Sequence, residues 1–206
     1  MALKNLIEEI KAEIENISSD HISSTKQRYG SKKDINALVK ETNIQFPDEL
    51  KEFWLTCDFE ITLDSKIYKT LGLDVAPSYF IFSDIEKLLD DWKENSGTPL
   101  TDDFKSGDYY GFENRGYKEG IIGDMIYDKQ WFPIATDSFG GSICIDMKPG
   151  PKGTVGQLLY IMFIGDGKSG PYYSGYKSLT DLLQGYLTDL KEGKFEVEDD
   201  IVYPLI

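Results

Sequence analysis

"WFPIATDSFGGSICIDMKPGPKGTVGQLLYIMF", residues 131–163, holds two short apolar runs flanking a Gly-Gly pair. A loop with Gly150, Gly153 and Gly156 follows, and then a third run that is apolar at consecutive positions. "WFPIA" (131–135) and "SICID" (142–146) alternate well enough for half-buried strands, and Gly140-Gly141 supplies the positive φ of a tight connection. "QLLYIMFI" (157–164) is apolar on both faces and reads as a central strand covered on both sides. The glycine-rich loop poses the functional question: a cradle for phosphate or metal, or a sheet that faces another protein.

Outward from this block the period changes from two to 3.6. Leu3, Leu6, Ile7, Ile10, Ile14 and Ile17 predict an amphipathic helix over 3–17. A polar connector, "SSDHISSTKQRYGSKK" (18–33), follows it, and His21 reads there as an exposed linker residue. A second helix is expected over 35–42, with Ile35, Leu38 and Val39 on one face. Pro47 opens a third, where its missing N–H costs nothing and Asp48 and Glu49 meet the positive end of the dipole. "YFIF" (79–82) predicts a strand leading into a helix capped by Ser83 and Glu86. Residues 97–117 read as a long irregular loop. A last helix over 179–191 turns Leu179, Leu182, Leu183, Tyr186, Leu187 and Leu190 inward. The acidic tail, 192–206, is expected to add an edge strand. This order predicts an α+β fold, an antiparallel-rich mixed sheet flanked by helices, as a single domain over 1–206.

The 206 residues carry 22 Lys and Arg against 36 Asp and Glu, a net charge of −14. Such a body repels nucleic acid phosphates and anionic lipid, so direct binding to DNA, RNA or membrane is not expected. It attracts basic partners, or it serves only solubility; both readings stand. The longest apolar run, "LLYIMFI" (158–164), is too short to cross a bilayer, which takes about 20 residues. The charged start, "MALKNLIEEIKAEIEN", lacks a signal peptide's apolar core, so a cytoplasmic location is expected. Cys57 and Cys144 match no zinc or redox spacing and fit a reducing compartment, one disulfide between them being the alternative.

No catalytic constellation emerges. "GDGKSG" (165–170) follows a strand, but Met162 stands where a P-loop needs glycine, and Gly170-Pro171 replaces the helix that should follow. A strand-ending turn is the better reading. His21 is the only histidine, so triad chemistry lacks a base, and neither metal nor cofactor is expected. Asp124, Asp137, Asp146 and Asp166 fall near predicted strand ends; chance proximity explains them better than acid–base pairing. Tyr109, Tyr110, Tyr117, Tyr127, Tyr172, Tyr173 and Tyr176 fall mostly in glycine-rich loops. They read either as contact area for a partner or as loop packing. With the neighbouring acids, the candidate partner-binding residues are Asp102, Asp103, Asp108, Tyr109, Tyr110, Asp124, Asp166, Tyr172 and Tyr173.

Three blocks carry a family resemblance. The first is "DINALVKETNIQFPDELKEFW" (34–54), a helix, an apolar-Pro pair and a helix with an aromatic end. The second is the opening block, with Trp-x-Pro-apolar-Ala, Asp-x-x-Gly-Gly, a strand ending in Asp, and a Gly-Gln-led strand. The third is "SLTDLLQGYL" (178–187). Over about 34–191 the chain resembles the SUKH superfamily, in the branch of fungal cell-wall-assembly regulators, although "TCDFE" (56–60) stands where the family often has Asn-Gly. The resemblance implies a non-enzymatic domain: bacterial members are immunity proteins that neutralise a secreted polymorphic toxin, and fungal members are adaptors. The expectation is a toxin-neutralising protein whose partner is a basic, nuclease-like toxin domain, the alternative being a scaffold or adaptor. Pro47, Trp131, Pro133, Asp137, Gly140, Gly141, Asp146 and Gly156 are then architectural.

Overall fold

The computed structural model describes residues 2–64, 67, 79–94, 98–99, 119–164 and 167–205. The helices are α1 (Leu3–Ile17), α2 (His21–Ser24), α3 (Lys32–Thr42), α4 (Asp48–Thr56), α5 (Ile85–Glu94) and α6 (Leu179–Lys191). The strands are β1 (Thr62–Asp64), β2 (Tyr79–Phe82), β3 (Thr98–Pro99), β4 (Met125–Tyr127), β5 (Trp131–Thr136) and β6 (Ser142–Asp146). They continue with β7 (Gln157–Ile164), β8 (Gly167–Tyr173), β9 (Phe195–Glu198) and β10 (Ile201–Pro204). The six-stranded sheet runs β1-β2-β5-β6-β7-β8 with every ladder antiparallel. The fold is α+β.

Strand periodicity splits the sheet into two buried faces. Phe132, Ile134, Ile143, Ile145 and Leu158 face the helices, packing with Leu6, Ile10, Phe53, Trp54 and Leu183. Trp131, Cys144, Leu159 and Ile161 point the other way, against Ile122 and Tyr127. β5 and β6 are therefore buried on both faces, not half-buried: 119–127 forms a second layer that an alternation pattern does not reveal. Leu158 of β7 is covered on the helix side and Leu159 and Ile161 on the other. The register shifts at Pro133 and Ala135, which places the residue without an N–H at an irregularity of the ladder.

Helix ends depart from the sequence reading in instructive ways. Asp84, not Ser83, caps α5 by accepting from Lys87 N, whereas the Ser83 hydroxyl meets Thr136 Oγ1. The capping box that does form joins Ser31 and Asp34 at the start of α3. Glu49, in the first turn of α4, reaches across to α6. It accepts from Leu179 N, Thr180 N and Thr180 Oγ1 at 3.0, 3.1 and 2.6 Å. One carboxylate thus sits at two helix N-termini, where both dipoles favour it.

His21 is no linker residue. It is 1% exposed, donates from Nε2 to the Glu60 carbonyl, and accepts at Nδ1 from Val202 N. The tail forms its own β9–β10 hairpin instead of adding a strand to the main sheet. That hairpin docks through His21, through the Val202 carbonyl on Thr62 Oγ1, and through a Tyr79–Tyr203 ring contact at 4.7 Å. His21→Ala is expected to leave Val202 N and the Glu60 carbonyl unpaired and to cost roughly 2 kcal/mol. A lowered urea midpoint with unchanged slope checks it. Of the predicted 97–117 loop, Thr98 and Pro99 form a short ladder with β4, and the rest lies outside the described residues.

Candidate functional site

The signature block is built as a support. Asp137 Oδ1 accepts from Phe139 N and Gly141 N at 2.9 and 2.7 Å, closing the β5–β6 turn, in which Gly140 takes φ +83°. Asp146 is fully buried and accepts from Lys148 N and Gln157 Nε2, both at 2.9 Å. Gln157 Nε2 also donates to the Ile121 carbonyl, and its Oε1 accepts from Thr154 N. Trp131 lies across the ladder from Asp146. Its indole N–H has no hydrogen-bond partner among the described residues, so any pull it exerts on the carboxylate is a weak, longer-range one. Burial, the largest cause, raises the Asp146 carboxyl to about 6, and the Gln157 and Lys148 hydrogen bonds oppose the shift.

The loop glycines serve close approach. A Cβ on Gly153 would lie 2.3 Å from the Ile121 carbonyl oxygen, and one on Gly150 would lie 2.5 Å from that of Gly120. The 147–156 loop thus lies directly on the 119–123 segment, with Gly150 N and Lys152 N bonded to Ile121 O and Gly120 O. A Cβ on Gly156, at φ +91°, would lie 3.5 Å from Pro47 Cγ, so the two signature blocks run close together here. The amides that could have cradled phosphate are spent on protein. Likewise Gly167–Tyr173 continues as β8, with no helix directly after "GDGKSG", of which Gly165 and Asp166 lie outside the described residues.

The tyrosines point to a different place. A cleft of about 450 Å³ opens between the β7–β8 hairpin, α6 and the tail hairpin. Tyr160, Tyr173, Tyr176 and Tyr186 line it, with Asp64, Asp189 and Phe195. Tyr176 is held by its own N–H on Ser174 Oγ, which in turn donates to the Leu158 carbonyl. Its ring tip lies over Gly185 of α6, where a Cβ would come within 3.3 Å. Tyr186 packs edge-on against Phe195 at 5.1 Å. Burial pushes the Tyr160 and Tyr186 phenols up, so both stay neutral at ordinary pH. Lys194 pairs with Asp189 and Glu192 at the mouth, each at 2.7 Å. Neutral phenols beside carboxylates can take up a cationic side chain by cation–π contact and hydrogen bonding.

Among the sequence-predicted contact residues, Tyr173 lines this cleft, with its hydroxyl 3.4 Å from the Gly175 carbonyl. Tyr172 does not. It pairs with Tyr160 across the ladder, on the helix-facing side, and is buried in the core at 3% exposed. Asp124 is exposed on the segment before β4 and is not among the residues lining the cleft. Asp102, Asp103, Asp108, Tyr109, Tyr110, Tyr117 and Asp166 lie outside the described residues. Asp64, Asp189, Tyr160 and Tyr186 were missed because they come together only in the tertiary fold. Tyr160 and Tyr186 read in sequence as plain core. Among the described residues, no three His, Cys, Asp or Glu side chains gather as a metal site would need. No helix there is long and apolar enough to cross a membrane. Cys57 and Cys144 are both free and buried.

Comparison with known proteins follows the same blocks. The family described as SMI1 / KNR4 (SUKH-1) matches residues 30–185. The "Cell wall biosynthesis/cell cycle regulator smi1" of Schizosaccharomyces pombe (strain 972 / ATCC 24843) is 36% identical over 84 residues. That match covers 41% of this chain and 16% of that protein's length.

Proposed function

From the premise that this chain belongs to the SMI1 / KNR4 (SUKH-1) family, we propose that it is a non-enzymatic immunity protein that neutralises a basic, nuclease-like toxin domain by binding it. The observation that carries this reading is the tyrosine-lined cleft with Asp64 and the Lys194-paired Asp189 in its walls, in a chain of net charge −14. Such a face draws a basic domain by long-range attraction and then offers rigid aromatic area for contact. A nuclease domain must itself be basic to hold nucleic acid, and an acidic surface competes for the same charge.

The test is binding of the purified protein to the toxin domain encoded beside its gene, by stopped-flow and calorimetry. Tyr173→Ala with Tyr176→Ala is expected to weaken binding about thirtyfold, as a hot-spot loss of about 2 kcal/mol requires. The association rate of the unaltered protein should fall steeply with salt. Unchanged affinity in the double variant, or a rate indifferent to salt, would remove the cleft from the interface. The likeness to a fungal regulator favours a second reading, an adaptor with several partners. Capture of several unrelated host proteins, all sensitive to the same double variant, would select it.

A further inference from the structure

We propose that a second cleft, opposite in charge to the first, binds a short carboxylate-rich segment of a partner protein. The cleft measures about 460 Å³ and lies between the 26–32 connector and the C-terminal end of α4. Lys26, Arg28 and Lys32 line it. None of the three makes an ion pair among the described residues, although acids outnumber bases 36 to 22 in the chain. The one carboxylate in the wall, Asp58, is engaged by Lys11 at 3.0 Å. Asp34 accepts from Ser31 and keeps its charge near Arg28, which also borders the groove that holds Asp34, Asp84 and Glu86. Lys26 and Lys32 therefore stand in this cleft without an ion pair among the described residues, and Arg28 has only the longer-range field of Asp34.

The backbone holds them in place. Lys26 bridges to Phe59 in strand fashion, and Gln27 N donates to the Asp58 carbonyl at 3.0 Å. Tyr29 is buried and donates its hydroxyl to the Phe59 carbonyl. Alternation then sends Lys26 and Arg28 outward as Tyr29 goes in. Lys32 begins α3, whose positive dipole end adds to the side-chain charge and offsets the negative end of α4 at the same cleft.

Two residues of α4 complete the wall. Trp54 forms part of the wall, is 1% exposed, and its indole N–H has no partner among the described residues. Its ring packs inward on Phe46 and Phe132, so Trp54 serves as a reporter in the wall and not as a donor to the ligand. Beside it Leu55 is 42% exposed, an apolar foothold at the rim. Carboxylates on the cations and an apolar side chain on Leu55 describe an acidic peptide. A long polyanion fits less well, because its charge would extend over the acidic body. A short segment feels only cations within a Debye length, about 8 Å at physiological salt.

The test uses the full chain and a fluorophore-labelled EELDE peptide, followed by anisotropy, with indole N–H resonances recorded in parallel. Binding is expected to weaken at least about tenfold between 0.05 and 0.5 M salt and by a similar factor in combined Lys26→Glu, Arg28→Glu, Lys32→Glu. The Trp54 indole resonance should move on peptide addition, a readout that needs no variant. Equal binding by the triple variant with its fold intact, or a stationary Trp54 resonance, would overturn the proposal. So would displacement of the peptide by millimolar inorganic phosphate or by short oligothymidylate, which would assign the cleft to other anions.

Discussion

Replacing Gln157 with leucine is expected to remove about 4 kcal/mol of stability, the largest loss from any single polar side chain described above. The substitution keeps the volume and the buried strand position, so cavity effects are small. It strips the buried Asp146 carboxylate of its side-chain donor at 2.9 Å and leaves the N–H of Thr154, an exposed residue, without its acceptor. It also removes one of two donors from the Ile121 carbonyl, which Gly150 N still serves. A buried charge that loses a partner costs more than the pair ever contributed. Denaturant unfolding checks this, and a loss below about 1 kcal/mol would mean that Asp146 is simply protonated in the native state.

The companion expectation concerns pH. The Asp146 carboxyl is raised by burial from 3.8 to about 6 in the folded protein. A raised carboxyl binds its proton more tightly when folded, so its stabilising effect is complete below about pH 4 and fades as pH climbs to about 6. Two units correspond to about 3 kcal/mol lost across that window. Other carboxylates act in the opposite sense: Asp34, for instance, is lowered by its bonds to Ser31. The informative quantity is therefore the difference between the unaltered protein and Asp146→Asn. That substitution turns an acceptor into a donor facing Gln157 Nε2 and adds a constant penalty, but it abolishes the slope. The gap between the two should change by about 3 kcal/mol from pH 4 to pH 7. A flat difference would show that the carboxyl titrates normally. In Gln157→Leu the window should move to higher pH, since a bond that favours the charged form is gone.

Local periodicity made the long elements legible. The inward residues of α6 match the buried set, and α1 spans the predicted residues, because 3.6-residue spacing is written in the chain itself. What failed was non-local. His21 looked idle since its partners, Glu60 and Val202, lie 39 and 181 residues away. Strands β5 and β6 looked half-buried since their second cover, Ile122 and Tyr127, belongs to a segment without clear pattern. At the candidate site, Tyr173 and Tyr176 were visible as tyrosines outside periodic positions. Asp64 and Asp189, from β1 and α6, carried no local mark. The Ser83 cap failed differently: Asp84, one residue on, offered a better acceptor to Lys87 N.

The meeting of α1 and α2 with α6 and the β9–β10 hairpin has a bearing on how the protein is made. α1 packs against α6, Lys191 pairs with Glu9, and α2 holds β10 through His21. On a ribosome adding about 5–20 residues per second, the apolar stripe of α1 waits roughly 10 to 40 seconds for α6 and the tail hairpin to emerge. α4 can cover part of that stripe early, but the side that meets α6 stays open, a ready substrate for chaperones or for a neighbouring nascent chain. Stalled or truncated translation products lacking the tail would therefore be sticky, and quality control rather than slow refolding would decide their fate.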